Sequence, residues 1–96
     1  HDEITYVVEK DGKPIAKAGT NARGFNMNQI GGVYTVKEYR SRGYGFMVMN
    51  ALLEKITAEK KSAVLFVKKT NTSAITLYRK AGFKIRDNYR ICYYYR

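Results

Sequence analysis

The spacing of apolar and polar residues in the first third of the chain predicts strands. Residues 4–9 and 14–22 have strand character on either side of the turn-forming pair Asp11 and Gly12. Strand character returns over residues 27–36, which are rich in β-branched and aromatic residues. The pattern therefore predicts three consecutive strands, the first two joined as a hairpin.

Two helical segments follow, separated by a short apolar stretch. Apolar residues recur every three or four positions from residue 44 to about residue 60, which predicts an amphipathic helix. Residues 63–67 are continuously apolar and have the length of a buried strand. Asn71 is a suitable N-cap for a second helix, and Gly82 lies where a left-handed residue would end it.

The last predicted elements are two strands, residues 83–86 and 89–95, joined at Asp87 and Asn88. The resulting order, β-β-β-α-β-α-β-β, predicts an α+β (mixed α/β) fold with one central, mostly antiparallel sheet. We interpret residues 1–96 as a single domain, because the chain has no internal repeat and no low-complexity tract.

Charge and residue usage narrow the classes of function. The net charge of +10 indicates an anionic partner, but the basic residues are scattered, which favours solvated surface over a nucleic-acid site. The single cysteine, Cys92, cannot form an intrachain disulfide and fits a reducing, cytoplasmic setting. With His1 as the only histidine, we expect neither a zinc site nor histidine-dependent catalysis. No apolar run approaches the length of a membrane span.

A basic, glycine-containing loop precedes the first helical segment. It has the sequence Arg-Ser-Arg-Gly-Tyr-Gly over residues 40–45. Its glycines allow a close approach of the backbone to a ligand, and the unpaired N–H groups of the following helix favour an anion. Arg40 and Arg42 add forked donors suited to phosphate oxygens. The loop therefore predicts an anion site, most simply for a pyrophosphate, with a purely structural turn as the alternative.

Two motifs in this order resemble those of the general N-acetyltransferase (GNAT) superfamily. The cofactor signature Arg/Gln-x-x-Gly-x-Gly/Ala is matched by Arg40, Gly43 and Gly45. The signature Asn-x-x-Ala-x-x-Leu-Tyr-x-Lys-x-Gly-Phe is matched over residues 71–83. The resemblance covers roughly residues 4–95 and implies the acyl-CoA N-acyltransferase fold.

The resemblance implies that acetyl-CoA binds between the third strand and the strand at residues 63–67. Backbone groups of the third strand would pair with the pantetheine arm, the N–H groups of residues 40–46 would hold the pyrophosphate, and Asn71 would contact the cofactor arm. A helix cap is the alternative role of Asn71. The donor-binding residues implied in this way are Val33, Tyr34, Thr35, Arg40, Ser41, Arg42, Gly43, Tyr44, Gly45, Phe46 and Asn71.

The resemblance also implies a catalytic role for Tyr78. A phenol near the sulfur can protonate the departing thiolate as a general acid, whereas packing beside Leu77 on the apolar helix face is the alternative role. No general base is assigned. The strand before the loop offers Asn26, Asn28 and Gln29, which cannot act as bases near neutral pH, and we expect proton removal through water.

A complete family domain begins with a further strand and two helices, which form one side of the acceptor site. We therefore expect this chain to be the C-terminal part of a longer or two-domain protein, with a missing region, a neighbouring domain or a partner subunit completing that site. The leading hypothesis is an N-acetyltransferase that moves an acetyl group from acetyl-CoA to a primary amine by direct attack. The alternatives are a non-catalytic acyl-CoA-binding or sensing module and a basic nucleic-acid-binding domain.

Overall fold

The elements of the fold follow the predicted order, with a short 3₁₀ helix added before the first α-helix. The computed structural model describes residues 3–86 and 91–94. Its elements are β1 (Thr5–Lys10), β2 (Lys13–Arg23), β3 (Met27–Thr35), the 3₁₀ helix (Lys37–Tyr39), α1 (Tyr44–Ala58), β4 (Ser62–Phe66), α2 (Thr72–Ala81), β5 (Lys84–Arg86) and β6 (Ile91–Tyr94). The α+β fold class is confirmed. The predicted turn at Asp87 and Asn88, and the terminal His1, lie outside the described residues.

The strands form one six-stranded sheet in the order β1-β2-β3-β4-β6-β5. Neighbouring strands are antiparallel except for β3 and β4, which are parallel. A parallel pair requires a crossover connection, and α1 provides it. The loop of residues 40–43 therefore lies at the carboxyl end of β3, where the chain leaves the sheet to enter α1.

The parallel pair diverges soon after it begins. Residues 27–29 of β3 pair with residues 62–64 of β4, and the ladder between the two strands ends there. The rest of β3 has no strand partner on this side among the described residues, whereas β4 continues to pair with β6 as far as Phe66. The divergence leaves an unpaired backbone edge along residues 30–35 of β3.

A bulge in β3 contributes to this geometry. Lys17 of β2 lies opposite Tyr34 and Gly19 lies opposite Gly31, so β3 carries an extra residue between the two pairs. Gly32, within this segment, has a φ angle of 61°, which an L side chain rarely adopts. Gly31 precedes it, so two adjacent glycines lie within the irregular segment.

Both helices pack on one face of the sheet. The buried residues of α1 are those that the helical spacing predicted, namely Val48, Met49, Leu52, Leu53 and Ile56. They share one core with Tyr78 of α2 and with Ala63 and Leu65 of β4. On the other face Val7 and Phe66 are 45% and 59% exposed, respectively. The core therefore fixes α1 and α2 side by side over the region where β3 and β4 diverge.

The end of α1 lies earlier than the sequence predicted. The helix ends at Ala58, and Lys60 has a φ angle of 61°, in the left-handed region. A left-handed residue cannot continue a right-handed helix, so the last two predicted residues, Glu59 and Lys60, lie outside α1. Within the described residues, no helix is long and apolar enough to cross a membrane.

Candidate functional site

A cleft of about 590 Å³ lies between the unpaired end of β3, the first turn of α1 and one side of α2. It is lined by Val33, Tyr34, Thr35, Arg40, Ser41, Gly43, Gly45, Phe46, Asn71, Ser73, Ala74, Thr76, Leu77, Tyr78 and Lys80. Every predicted site residue except Arg42 and Tyr44 is in this set. Residues from both sequence motifs thus meet around one cavity, while their roles in binding and catalysis stay predictions.

The N-terminus of α1 presents unpaired donors to this cleft. Gly43 is the N-cap residue, with a φ angle of 89° and no side-chain cap, and the first turn contains no acidic residue. The N–H of Met47 donates to the carbonyl oxygen of Gly43 at 3.0 Å. The N–H groups of residues 44–46 precede this first helical hydrogen bond and have no intrahelical acceptor. The helix dipole and these donors together favour an anion at the loop.

Arg40 ties the loop to the end of β3. Its Nε donates to the carbonyl oxygen of Thr35 at 2.9 Å, and its guanidinium lies 5.6 Å from the centre of the Tyr34 ring. Its backbone N–H donates to the carbonyl oxygen of Lys37 at 3.3 Å. That N–H is therefore not available to a pyrophosphate, contrary to the prediction that residues 40–46 all present theirs. Arg40 is nonetheless one of the residues that line the cleft.

Arg42 and Tyr44 lie around Tyr39 rather than in the cleft. The guanidinium of Arg42 is 5.4 Å from the centre of the Tyr39 ring, and the Tyr44 ring meets that ring edge-on at 6.1 Å. Lys10 of β1 approaches the same ring at 5.7 Å. These cation–π and aromatic contacts hold both side chains against the 3₁₀ helix and outside the lining of the cleft, and a role of the two residues in donor binding stays a prediction.

The two glycines of the loop meet different surroundings. A Cβ atom at Gly45 would lie 3.4 Å from both the Leu77 side chain and the Thr35 hydroxyl, so Gly45 permits close packing of α1 against α2 and β3. A Cβ atom at Gly43 would meet nothing within 4 Å, but the φ angle there favours glycine. Gly43 therefore serves the turn and faces the open cleft.

Asn71 caps α2, which confirms the structural role that the sequence left open. Its Oδ1 accepts hydrogen bonds from the N–H of Ala74 at 3.2 Å and from the hydroxyl of Ser73 at 3.4 Å. Asn71 also lines the cleft, so the cap does not exclude a contact between its side-chain N–H groups and a ligand.

Tyr78 lies at the inner side of the cleft and is 7% exposed. Its ring meets Phe83 edge-on, with 5.8 Å between the ring centres. Burial raises the pKa of Tyr78 above the ordinary 10.0, and the nearby Cys92 acts in the same direction. The phenol is therefore protonated at neutral pH, as a proton donor must be. The packing role and the acid role are compatible in this position.

Ionisable side chains in the cleft have one sign of charge. None of the residues that line it is an aspartate or a glutamate, and the cations are Arg40 and Lys80. Glu38 is exposed on the 3₁₀ helix. Asn28 is fully buried within the sheet and does not line the cleft. The described residues therefore place no carboxylate base beside the cavity.

Sequence analysis missed the polar face of α2. Ser73, Thr76 and Lys80 line the cleft together with Leu77. Their spacing of three or four residues is the signal that could have found them, since such residues share one helix face.

The chain belongs to the acetyltransferase (GNAT) family. That family's sequence model matches residues 1–83, and the resemblance drawn from the two motifs is confirmed. The structure agrees with this assignment. An acetyltransferase of the GNAT family from Novosphingobium aromaticivorans matches 93% of this chain with 32% sequence identity and a TM-score of 0.81, and the match covers 39% of its own length.

Two further solved structures share the fold at lower identity. The PaiA N-acetyltransferase of Thermoplasma acidophilum, in complex with coenzyme A, is 17% identical over 99% of this chain and 61% of its own, with a TM-score of 0.84. A GNAT acetyltransferase of Elizabethkingia anophelis, with acetyl-CoA bound, is 19% identical over 86% of this chain and 55% of its own, with a TM-score of 0.78. The chain thus spans less than two thirds of each of these three proteins.

Proposed function

We propose that this chain binds acetyl-CoA and transfers its acetyl group to a primary amine. The observation that carries the proposal is the convergence, in one cleft, of an uncapped helix N-terminus and a buried, protonated phenol. The first is suited to a pyrophosphate and the second to a departing thiolate. The coenzyme A and acetyl-CoA bound to two relatives of the same fold support this choice of donor.

Three parts of the cleft would hold the donor. The unpaired edge of β3 at residues 33–35 offers peptide groups to the amides of the pantetheine arm. The N–H groups of residues 44–46 would bind the pyrophosphate, with the Arg40 side chain beside them. Asn71 lies on the facing helix and would donate from its side-chain amide to the arm.

Tyr78 would act as the general acid. The donor supplies an acetyl group as a thioester, and the amine nitrogen forms the new C–N bond as the C–S bond breaks. The hydroxyl of Tyr78 holds a proton that the departing sulfur can take, and the proton lost by the amine restores the phenol through solvent. Because no carboxylate lines the cleft, we assign the removal of the amine proton to water.

The acceptor site would be completed by parts of the protein outside this chain. Within our proposal, residues 1–96 form the donor-binding domain, and a preceding region, a second domain or a partner subunit supplies the acceptor side. This chain spans less than two thirds of each relative's length, which is consistent with such an arrangement. The family and the cleft do not distinguish a small amine from a peptide or protein amine.

Calorimetric titration of the full-length protein with acetyl-CoA tests the donor. We expect saturable binding, and an amine screen should then reveal release of coenzyme A in the presence of an acceptor. Binding without turnover of any amine would support a non-catalytic acyl-CoA-binding module. Binding of RNA with a steep salt dependence, in the absence of acetyl-CoA binding, would instead support a nucleic-acid-binding domain.

Substitutions of Asn71 separate its cap from its proposed ligand contact. Asn71→Ala should lower the free energy of unfolding by about 1 kcal/mol, because it removes the side chain that caps α2. Asn71→Ser keeps a capping oxygen but loses the side-chain amide, so we expect near-normal stability and several-fold weaker acetyl-CoA binding. Urea unfolding and calorimetry measure the two effects. Normal binding by Asn71→Ser would remove Asn71 from the donor site.

A further inference from the structure

Gln29 of β3 lies where the ladder between β3 and β4 ends, on the face of the sheet that α1 and α2 leave uncovered. We call this the outer face. The ladder partner of Gln29 is Val64, whose neighbours Ala63 and Leu65 belong to the core beneath the helices. Side chains alternate between the two faces along a strand, so Val64 and Gln29 point to the outer face. Beyond this pair the strands diverge, and the outer face opens towards the cleft.

Asn21 reaches the same region from β2, because that strand carries a bulge there. Between the ladder pairs on either side, β2 advances by two residues and β3 by one, so Asn21 is an extra residue. Its side chain lies over Gly31, since a Cβ atom at Gly31 would be 2.9 Å from Cγ of Asn21. Gly31 and Gln29 are successive residues on one face of β3, about 7 Å apart. The carboxamides of Asn21 and Gln29 are therefore neighbours on the outer face.

Both carboxamides are available to a ligand. Asn21 is exposed and Gln29 is half-buried, and neither side chain forms a hydrogen bond within the part of the chain that the structure describes. The strands β2, β3 and β4 contain no aspartate or glutamate. Among their charged side chains, Lys17 also points to the outer face, and Arg23 pairs with Glu59 of α1. The two carboxamides thus offer uncharged hydrogen-bond acceptors beside the point where the sheet opens.

We propose that Asn21 and Gln29 bind the amine of the acceptor on the outer face, opposite the donor. The inference rests on the proposed function and deepens it, because it assigns the part of the acceptor site that this chain contributes. With the donor held between β3, α1 and α2, the amine reaches the thioester through the opening where β3 leaves β4.

Two carboxamide oxygens match the hydrogen-bonding groups of a primary amine. Each oxygen accepts one N–H, so the two N–H groups of a neutral primary amine are both bound and its lone pair stays free for attack. A secondary amine has a single N–H and fills half of this site. Uncharged carboxamides also suit the reacting form, whereas a carboxylate in their place would favour the ammonium, which has no lone pair.

Steady-state kinetics of the full-length protein tests this assignment, with whichever of ethanolamine, benzylamine, free lysine and a lysine-containing peptide is acetylated fastest. Asn21→Ala and Gln29→Met each remove a carboxamide, and we expect each to raise the acceptor KM about fivefold, the usual contribution of one uncharged hydrogen bond. Gln29→Glu should instead lower that KM several-fold at neutral pH and low salt, because its carboxylate pairs with the ammonium. Acetyl-CoA affinity, measured by calorimetry, should stay within about twofold of the wild type in all three variants.

Asn26 provides the matched controls, since it is exposed in the turn that precedes β3. Asn26→Ala removes a carboxamide from the same hairpin as Asn21→Ala does, and Asn26→Asp adds the same charge as Gln29→Glu. We expect the acceptor KM of both controls to equal that of the wild type.

The outcomes distinguish this inference from the proposed function. A wild-type protein that acetylates none of these amines contradicts both. Transfer by the wild type with an unchanged acceptor KM in Asn21→Ala or Gln29→Met overturns the inference alone. A matching loss of acetyl-CoA affinity in these variants also overturns it, because it would show a distorted sheet. An equal fall in KM for Asn26→Asp and Gln29→Glu would show a general charge effect and overturn it as well.

Discussion

Replacing Tyr78 with phenylalanine should lower kcat for acetyl transfer by about 10²- to 10⁴-fold, the usual contribution of a positioned general acid. Affinity for acetyl-CoA should stay nearly the same, because the ring keeps its place against Phe83 and only the hydroxyl is lost. Steady-state kinetics with an acceptor found in the amine screen measures kcat, and calorimetry measures donor affinity.

The pH dependence of kcat and of stability, compared between the wild type and Tyr78→Phe, gives a second test. Burial raises the pKa of Tyr78 above 10.0, so the phenol stays protonated through the neutral range, and the alkaline loss of activity that its ionisation causes should come at a higher pH than for an ordinary phenol. The folded state also holds this proton more tightly than the unfolded chain does. Its contribution to stability is therefore fully present below pH 10.0 and is lost as the pH rises through the raised value. Tyr78→Phe should lack both alkaline effects.

Tyr6→Phe is the matched control for these measurements. Tyr6 is half-buried on β1 and packs against the core, but it does not line the cleft. We expect its kcat to equal that of the wild type. An unchanged kcat for Tyr78→Phe, with the same acceptor, would assign Tyr78 to packing alone.

Local sequence patterns predicted most of the fold because the elements carry strong start and stop signals. Asn71 and Gly82 predicted the limits of α2, and both take those positions, Gly82 with a φ angle of 109°. The end of α1 was predicted too late, since Glu59 and Lys60 are as compatible with an exposed helix as with a turn. The divergence of β3 from β4 follows from how far each ladder extends, which depends on partners distant in sequence.

The sequence predicted the backbone of the site better than it predicted the directions of the side chains. The glycine loop and the helix that follows it are local features, so their meeting at the end of β3 could be anticipated. The directions of charged side chains could not be. Arg42 was grouped with Arg40 because they share a loop, yet it lies against Tyr39, while Lys80 comes from another helix. The directions of these side chains depend on aromatic rings that the tertiary fold brings near them.

Replacing Gly43 with valine should weaken acetyl-CoA binding by about tenfold to a hundredfold. A side chain at this position meets no protein atom within 4 Å but enters the cleft beside the N–H groups of α1, so it would displace the pyrophosphate from one or more charge-assisted hydrogen bonds. Of the two loop glycines, Gly43 gives a more specific test than Gly45. A substitution at Gly45 would also disturb the packing of Leu77 and Thr35, which lie 3.4 Å from the new Cβ atom.

Backbone strain must be separated from the loss of the ligand site, and Gly12 allows this. Gly12 has a φ angle of 76°, and its Cβ atom would also meet nothing within 4 Å, but it lies in the turn between β1 and β2. Both Gly12→Val and Gly43→Val should therefore lower the free energy of unfolding by about 1–2 kcal/mol or somewhat more, because valine is placed in a left-handed conformation. Only Gly43→Val should lose donor affinity. Equal affinities for the two variants would exclude the loop as the pyrophosphate site, and the family's donor would then have to be held elsewhere in this chain.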